Sequence, residues 1–281
     1  MRVLGMKVRD SRKKQRLSQK ALAEGICTQA TISKIENKNR CESLDVFSSV
    51  CSKLGLIVSD CLEKSNEQEL EKILDDVESL CEQMEHRQAY QLLKKSDINS
   101  DLISDDLKIK YLYYKGSTCL LTEFNYKQAM IYLNQGIKII KKPTIYNLLS
   151  MNAIGISYHL QGKMNQAREY HEKAYEMIGQ LFVDKLPRVA CRLFYNLAKF
   201  YSECRDYERS IQLCNQGIEL SKELNFTFNV DVLLYEKAYN EYHLNGTIEG
   251  YKIAYYFTDF MNHKVLMEII KKNMKEYNIQ L

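Results

Sequence analysis

The sequence predicts an all-α chain, with a compact bundle of five short helices over residues 1–64 and a longer body of helix pairs over 65–281. Three observations carry that expectation. Apolar residues recur at three- and four-residue spacing behind hydroxyl-bearing residues suited to capping helices. Only two prolines, Pro143 and Pro187, occur in 281 residues, so long helices are permitted. Small residues also return at matching places in a loose internal repeat, as stacked helix pairs require. A hydrophobic content of 45% with 27% charged residues is that of an ordinary globular protein. No run approaches the roughly eighteen apolar residues that span a membrane. The N-terminal stretch lacks a signal-peptide apolar core, so no membrane association and a cytoplasmic location are expected.

The elements of the first part follow in order. A helix over about 6–15 contains Val8 and Arg12. Ser18 N-caps a second, with Ala21, Leu22 and Ala23 behind it and Gly25 ending it. Thr28 caps a third, about 29–36, whose apolar face is Ile32 and Ile35. Ser43 caps a fourth, carrying Leu44, Phe47, Val50, Cys51 and Leu54 at helical spacing, and Leu56 and Ile57 lead into a fifth ending near Leu62. Charge divides with the chain: residues 1–40 hold eleven Lys/Arg against three acids, a net of +8, whereas the whole chain is +4. A basic head on a mildly acidic body points to a polyanionic partner for the head alone.

Two helices around a short Gly-containing break make a helix-turn-helix. "LSQKALAEGICTQATISKIEN" resembles the helix-turn-helix of the phage-repressor-like (XRE) family, whose pattern is L-S-Q-x-x-L-A, a small turn, then I-S-x-I-E; the match covers residues 6–62. Two positions depart from it. The glycine usually found two past the glutamate is Lys38, and the usual downstream proline is Glu42, so Asn37 is expected to supply the positive-φ turn. The resemblance implies that residues 29–36 lie in the major groove of double-stranded DNA. Gln29, Ala30, Thr31, Ser33 and Lys34 would then point outward, because Ile32 and Ile35 point in. Gln29 would read adenine through its amide, and Ala30 or Thr31 the thymine methyl. Gln19 would donate to a phosphate. Arg12 and Glu36 fall where the family keeps an internal ion pair.

The body repeats loosely as 113–140, 151–178 and 194–221. Small residues stand at Gly116, Gly155 and Ala198 in the first helices, then at Ala129, Ala167 or Ser210, and at Gly136, Ala174 or Gly217 in the second. Degenerate units precede (80–93, with Ala89) and follow (235–260) these three. The pattern resembles the tetratricopeptide repeat, with the register residues 38 and 43 apart and hence lengthened helices. Such repeats stack into a right-handed superhelix with a concave wall, here of about five degenerate pairs. The twenty tyrosines suit a surface that packs and hydrogen-bonds together.

An XRE-like head joined to five such repeats resembles the PlcR- and Rgg-type peptide-pheromone receptors of Gram-positive bacteria, nearest to the PlcR branch. The likeness runs nearly end to end through "GICTQA", "SLDVFSSVCSKLGL" and "GYKIAYYFTDF". It implies a homodimeric quorum-sensing regulator that binds an inverted-repeat site under the control of a short, secreted and re-imported signalling peptide. It implies that asparagines on the inner helices hold the peptide main chain, since an amide offers both a donor and an acceptor. Asn152 and Asn196 match those positions, and Glu236 falls where a polar residue is expected. Following the inner stripe adds His159, Arg192, Asn240 and His243, while Arg87 could meet a ligand carboxylate. Each has a plainer alternative: Asn152 bridging helices, the histidines as ordinary surface residues, Glu236 paired internally. A helix near 58–72 is expected to link head and body.

Nine cysteines, an odd number without C-x-x-C spacing, read as small buried hydrophobes in a reducing compartment. A redox-sensing thiol is the alternative. The acid doublets Asp75–Asp76 and Asp105–Asp106 read as solvated helix starts. No phosphate-cradling loop, nucleophile elbow or metal motif occurs, so neither an enzyme nor a cofactor is expected. The competing function is a DNA-bound adaptor whose repeats dock a protein partner instead of a peptide.

Overall fold

Hydroxyl caps set the entry of three of the four early helices in the computed structural model, which describes residues 1–63, 65–96, 103–139, 143–181 and 186–280. Within the first unit, Met1–Glu69, the helices are α1 (Gly5–Lys14), α2 (Gln19–Ala23), α3 (Gln29–Lys38) and α4 (Leu44–Lys53). Ser18, Thr28 and Ser43 accept from the N–H groups of Ala21, Thr31 and Val46 at 3.0, 3.2 and 3.3 Å. Each satisfies a donor that the helix cannot, worth about 1 kcal/mol. Gly25, at φ +77°, turns the chain out of α2. The faces so presented bury Val8, Leu22, Ile32, Ile35, Phe47 and Val50 in one core.

Three expectations are corrected here. The fifth helix is a single 3₁₀ turn, Val58–Cys61, because the next residue, Leu62, is drawn into an extended bridge with Val3 while Leu4 N–H donates to the Cys61 carbonyl at 2.7 Å. That break also rules out a continuous helix over 58–72. The turn after α3 is made by Asn39 (φ +52°), not Asn37, because α3 continues to Lys38. The Asn39 side chain accepts from Gly5 N–H at 3.1 Å, tying the end of α3 to the start of α1.

The second unit, Leu70–Leu281, begins within α5 (Asn66–Glu82), and the expected domain boundary at residue 64 lies outside the described residues. It continues as α6 (His86–Lys95), α7 (Asp105–Glu123), α8 (Tyr126–Lys138), α9 (Ile145–Leu160), α10 (Met164–Leu181), α11 (Ala190–Glu203), α12 (Tyr207–Leu224), α13 (Val230–Asn245), α14 (Glu249–Phe260) and α15 (Lys264–Glu276). From α6 on, described helices adjacent in sequence pack together, α10 and α11 through side chains, with the His171 and Phe200 rings 4.5 Å apart and the Tyr201 hydroxyl donating to Glu172 at 3.3 Å, and α7, α9, α11 and α13 also touch one another two apart. The result is a helical-repeat superhelix whose first helices form an inner layer. The repeating small residues permit this approach: Ala129, Ala167, Ala174, Ala198 and Ser210 are fully buried, and Ser210 donates to the Ala198 carbonyl at 2.8 Å. Asp105–Asp106 do start a helix, α7, whereas Asp75–Asp76 sit inside α5, where Asp75 faces Lys110 at 3.5 Å. Among the described residues no helix is long and apolar enough to cross a membrane. All nine thiols are free, and six are buried.

Candidate functional site

In the first unit, a chain of polar contacts fixes the start of α3. Arg12 forks onto Glu36 at 2.6 and 2.8 Å and donates to the Leu17 carbonyl at 2.7 Å. Burial alone would raise the Glu36 carboxyl. The Arg12 bonds, the Gln19 amide and the charges of Arg12 and Arg9 outweigh it and hold the group below the ordinary carboxylate value. Gln19 donates to Glu36 at 2.9 Å and accepts from Gln29 at 2.8 Å. The Gln19 carbonyl thus orients Gln29, while one of its two amide N–H donors goes to Glu36 and the second is left for the expected phosphate contact. Gln29 and Ala30 are exposed on α3, and Thr31, Ser33 and Lys34 are half-buried beside them. Ser33 accepts from Asn37 at 3.2 Å, and Lys34 pairs with the Glu42 carboxylate, so neither stands uncommitted on the outward face. Exposed Arg9, Lys13, Lys14, Arg16 and Lys20 surround this helix pair in sequence.

In the second unit, the inner layer lines a groove of about 960 Å³. Its wall takes Cys81 to His86 from the α5–α6 turn and Tyr113 and Ser117 from α7. Ile156 and His159 come from α9, and Arg192, Asn196 and Phe200 from α11. Phe228 and Asp231 precede and open α13, and Met261 to Val265 close the wall at the α14–α15 turn. Among the described residues seven buried side-chain polar atoms lack a hydrogen-bond partner, and four of them lie on this wall: His86 Nδ1, His171 Nε2, Arg192 Nη2 and His263 Nε2. Unpaired buried polar groups are rare because each forfeits its hydration. Their concentration here marks the wall as built to receive polar groups.

The asparagines meet differently from the expected arrangement. Asn152 is fully buried; its amide faces His171 Nδ1 at 2.9 Å and its carbonyl accepts from Asn196 at 2.8 Å. Asn152 is thus a bridge between helices, and Asn196 is the member of the pair that lines the groove. Since His171 Nδ1 accepts from that amide, its proton resides on Nε2, which is buried beside Gly155. Burial, then the nearby His159, pushes the His171 imidazole down to about 3, so it is a neutral donor. His171 was missed in sequence because it lies on the outer helix α10. The available signal was Gly155 opposite, where a Cβ would stand 2.7 Å from the ring.

Arg192 lies in the wall with Nη1 on the Tyr114 hydroxyl at 3.3 Å and its guanidinium 5.6 and 5.4 Å from the rings of Tyr114 and Phe228. Burial works against its charge, but the surrounding Tyr113 and Tyr114 hydroxyls more than offset that and keep it protonated. His159 lines the groove too, paired with Glu203 at 2.9 Å. Besides Asn152, four expected ligand residues do not line it: Arg87, Glu236, Asn240 and His243. Arg87 is exposed on α6, one residue past His86, which takes its place. Glu236 and Asn240 are both buried inside the packing, where the Glu236 carboxylate accepts from the Asn240 amide at 3.1 Å. His243 bonds the Tyr277 hydroxyl at 3.2 Å within an aromatic cluster. Burial raises the Cys81 and Cys191 thiols to about 11, which disfavours the reactive thiolate. No group of three His, Cys, Asp or Glu among the described residues could hold a metal ion.

A capped helix-turn-helix followed by a helical-repeat body around a groove with buried polar groups in its wall defines a regulator with a DNA-reading part and a ligand-sensing part. The chain belongs to the RNPP family: the model described as "RNPP family C-terminal domain" matches residues 74–279, and "Helix-turn-helix" matches 8–56. Membership makes it a peptide-pheromone-responsive transcription regulator of the PlcR/Rgg type, not an enzyme. No curated protein matches the chain. Among solved structures, Bacillus thuringiensis PlcR in complex with the peptide PapR7 and DNA gives a TM-score of 0.63 at 22% identity, over 95% of this chain and 98% of that one. Its apo form gives 0.61 at 20% identity, over 96% and 98%. ComR from S. thermophilus in complex with DNA and its signalling peptide ComS gives 0.59 at 14%, over 98% and 99%. At such identities the likeness is one of fold.

Proposed function

We propose that this protein acts as a homodimer on an inverted-repeat DNA site, with one α3 reading each half-site. A short signalling peptide, re-imported into the cytoplasm, occupies the groove and biases the dimer toward one spacing of its two α3 helices. Asn196, Arg192 and His159 meet the peptide, with Asn152, held in turn by the buried His171, keeping Asn196 in place. Gln29, Ala30 and Thr31 meet bases, with Gln19 orienting Gln29, and Ser33, Lys34 and Asn37 flank them. The observation that carries this reading is the groove wall with its four buried, unpartnered polar atoms.

The test is recovery of peptide bound to the full chain purified from its native cells, read by mass spectrometry. A single short peptide whose synthetic copy changes the affinity or footprint on DNA supports the proposal, and Asn196→Ala should lose that response while remaining folded. A stoichiometric protein partner in place of a peptide would favour the adaptor.

A further inference from the structure

We infer that Arg192 is the seat of a ligand carboxylate, so that the groove selects acidic oligopeptides, or those with a free C-terminal acid, placing that acid beside His86 and Tyr114. This rests on the peptide reading of the groove. Arg192 is a charged donor whose Nη2 is sealed from solvent without a partner, while Nη1 spends one bond on Tyr114. A buried charge is most stable when paired with an opposite one, and among the described residues Arg192 is answered by the Tyr113 and Tyr114 hydroxyls but by no carboxylate. Among the acids nearby, Glu78 is committed to Lys110 at 2.9 Å and Asp231 to His263 and the Val232 N–H. Glu203 holds His159, and Glu85 accepts from Gln88 at 3.0 Å. Glu82 feels the Arg192 charge yet forms no ion pair with it among the described residues.

The geometry suits a planar anion. Tyr114 and Phe228 rings lie 5.6 and 5.4 Å from the guanidinium, and the half-buried Arg192 presents its planar donor set on the groove wall. His86 Nδ1, also buried and unpartnered on the same wall, supplies a second polar contact. Arg87, the cation that sequence alone offered for this role, is exposed and off the wall. The acid-binding charge has moved from the first repeat to the inner helix α11.

The experiment passes a pool of short synthetic peptides, randomised in sequence with free C-terminal acids, over the full-length chain and identifies those retained by mass spectrometry. Each retained peptide is resynthesised with its carboxylates neutralised one at a time, as C-terminal amide, Asp→Asn or Glu→Gln. One neutralisation should weaken binding about ten- to hundredfold, the range of a hydrogen bond to a charged group, and the others little. In Arg192→Gln the acid and its neutral analogue should bind alike, and Arg192→Lys should restore part of the difference. Peptides retained equally well after every carboxylate is neutralised overturn the assignment while leaving the peptide reading intact. A pool from which nothing is retained overturns the peptide reading, and this assignment with it. The wild-type comparison stands even if a variant fails to fold.

Discussion

His171 is an imidazole held neutral at zero exposure, and this makes stability depend on pH in a definite direction. Unfolded, it titrates near 6.5; folded, near 3. Between those values the unfolded chain binds the extra proton, so stability falls as pH drops through that window and is untouched by this group above 6.5. The slope is about 1.4 kcal/mol per pH unit for one fully buried group. Urea unfolding followed by tyrosine fluorescence should lose stability more steeply with falling pH in wild type than in His171→Gln. Other histidines, such as His263 on Asp231, are common to both chains and cancel in the difference. Equal slopes would mean that the ring takes up its proton inside the fold. At the same scale, Gln29 and Lys14 separate reading from attraction. Gln29→Ala should change base preference at one position of each half-site by about 1–3 kcal/mol. Lys14→Ala should weaken all DNA alike and lower the salt slope by about one. Selection from a randomised operator pool, with titrations at two salt concentrations, distinguishes these effects.

The elements divide according to how much local chemistry fixes them. Helices α2, α3 and α4 were legible because a hydroxyl stands before each apolar period, and no tertiary contact is needed to read a cap. The Arg12–Glu36 pair was legible through family resemblance. The ends were not: whether residues after Leu56 continue as helix depends on Val3, some sixty positions away, capturing Leu62. The inner stripe was legible only in part on α9 and α11, where His159, Arg192 and Asn196 line the groove but Asn152 is buried behind it. It failed on α13, which buries Val230, Asp231, Val232, Leu233, Glu236 and Ala238 around its circumference, so spacing alone could not say which face is inward. There Asp231 and Val232 reach the groove while Glu236 and Asn240 do not. The α1–α3 contact yields a sharper test. A Cβ on Gly5 would stand 2.1 Å from the Ile35 carbonyl oxygen and 2.7 Å from Asn39 Oδ1. Gly5→Ala must push α1 off α3, costing about 1–3 kcal/mol. DNA binding should fall with the melting temperature of the first unit, while peptide retention by the second stays at the wild-type level. Unchanged DNA affinity and thermal unfolding would mean that this approach is looser than the structure has it.

At the scale of the whole molecule the proposed dimer needs an interface, and α14 offers the face for one. Ile253, Tyr256 and Phe260 recur at three- and four-residue spacing on one side of that helix, exposed by 58%, 60% and 81%. A contiguous apolar stripe is rarely left open on a monomer, and a two-fold axis through it would set each stripe against its copy. None of the three residues lines the groove, so association and peptide binding can be separated by mutation. The double variant Ile253→Asp, Phe260→Asp places four like charges across such an axis. Light scattering behind size exclusion should show a dimer for wild type and a monomer for the variant, with peptide affinity unchanged. A single half-site should be bound equally by both. The inverted repeat should lose affinity only in the variant, because its two heads no longer share one binding event. A variant that stays dimeric would move the interface off α14, and a wild type that is monomeric with and without DNA would remove the two-fold reading altogether.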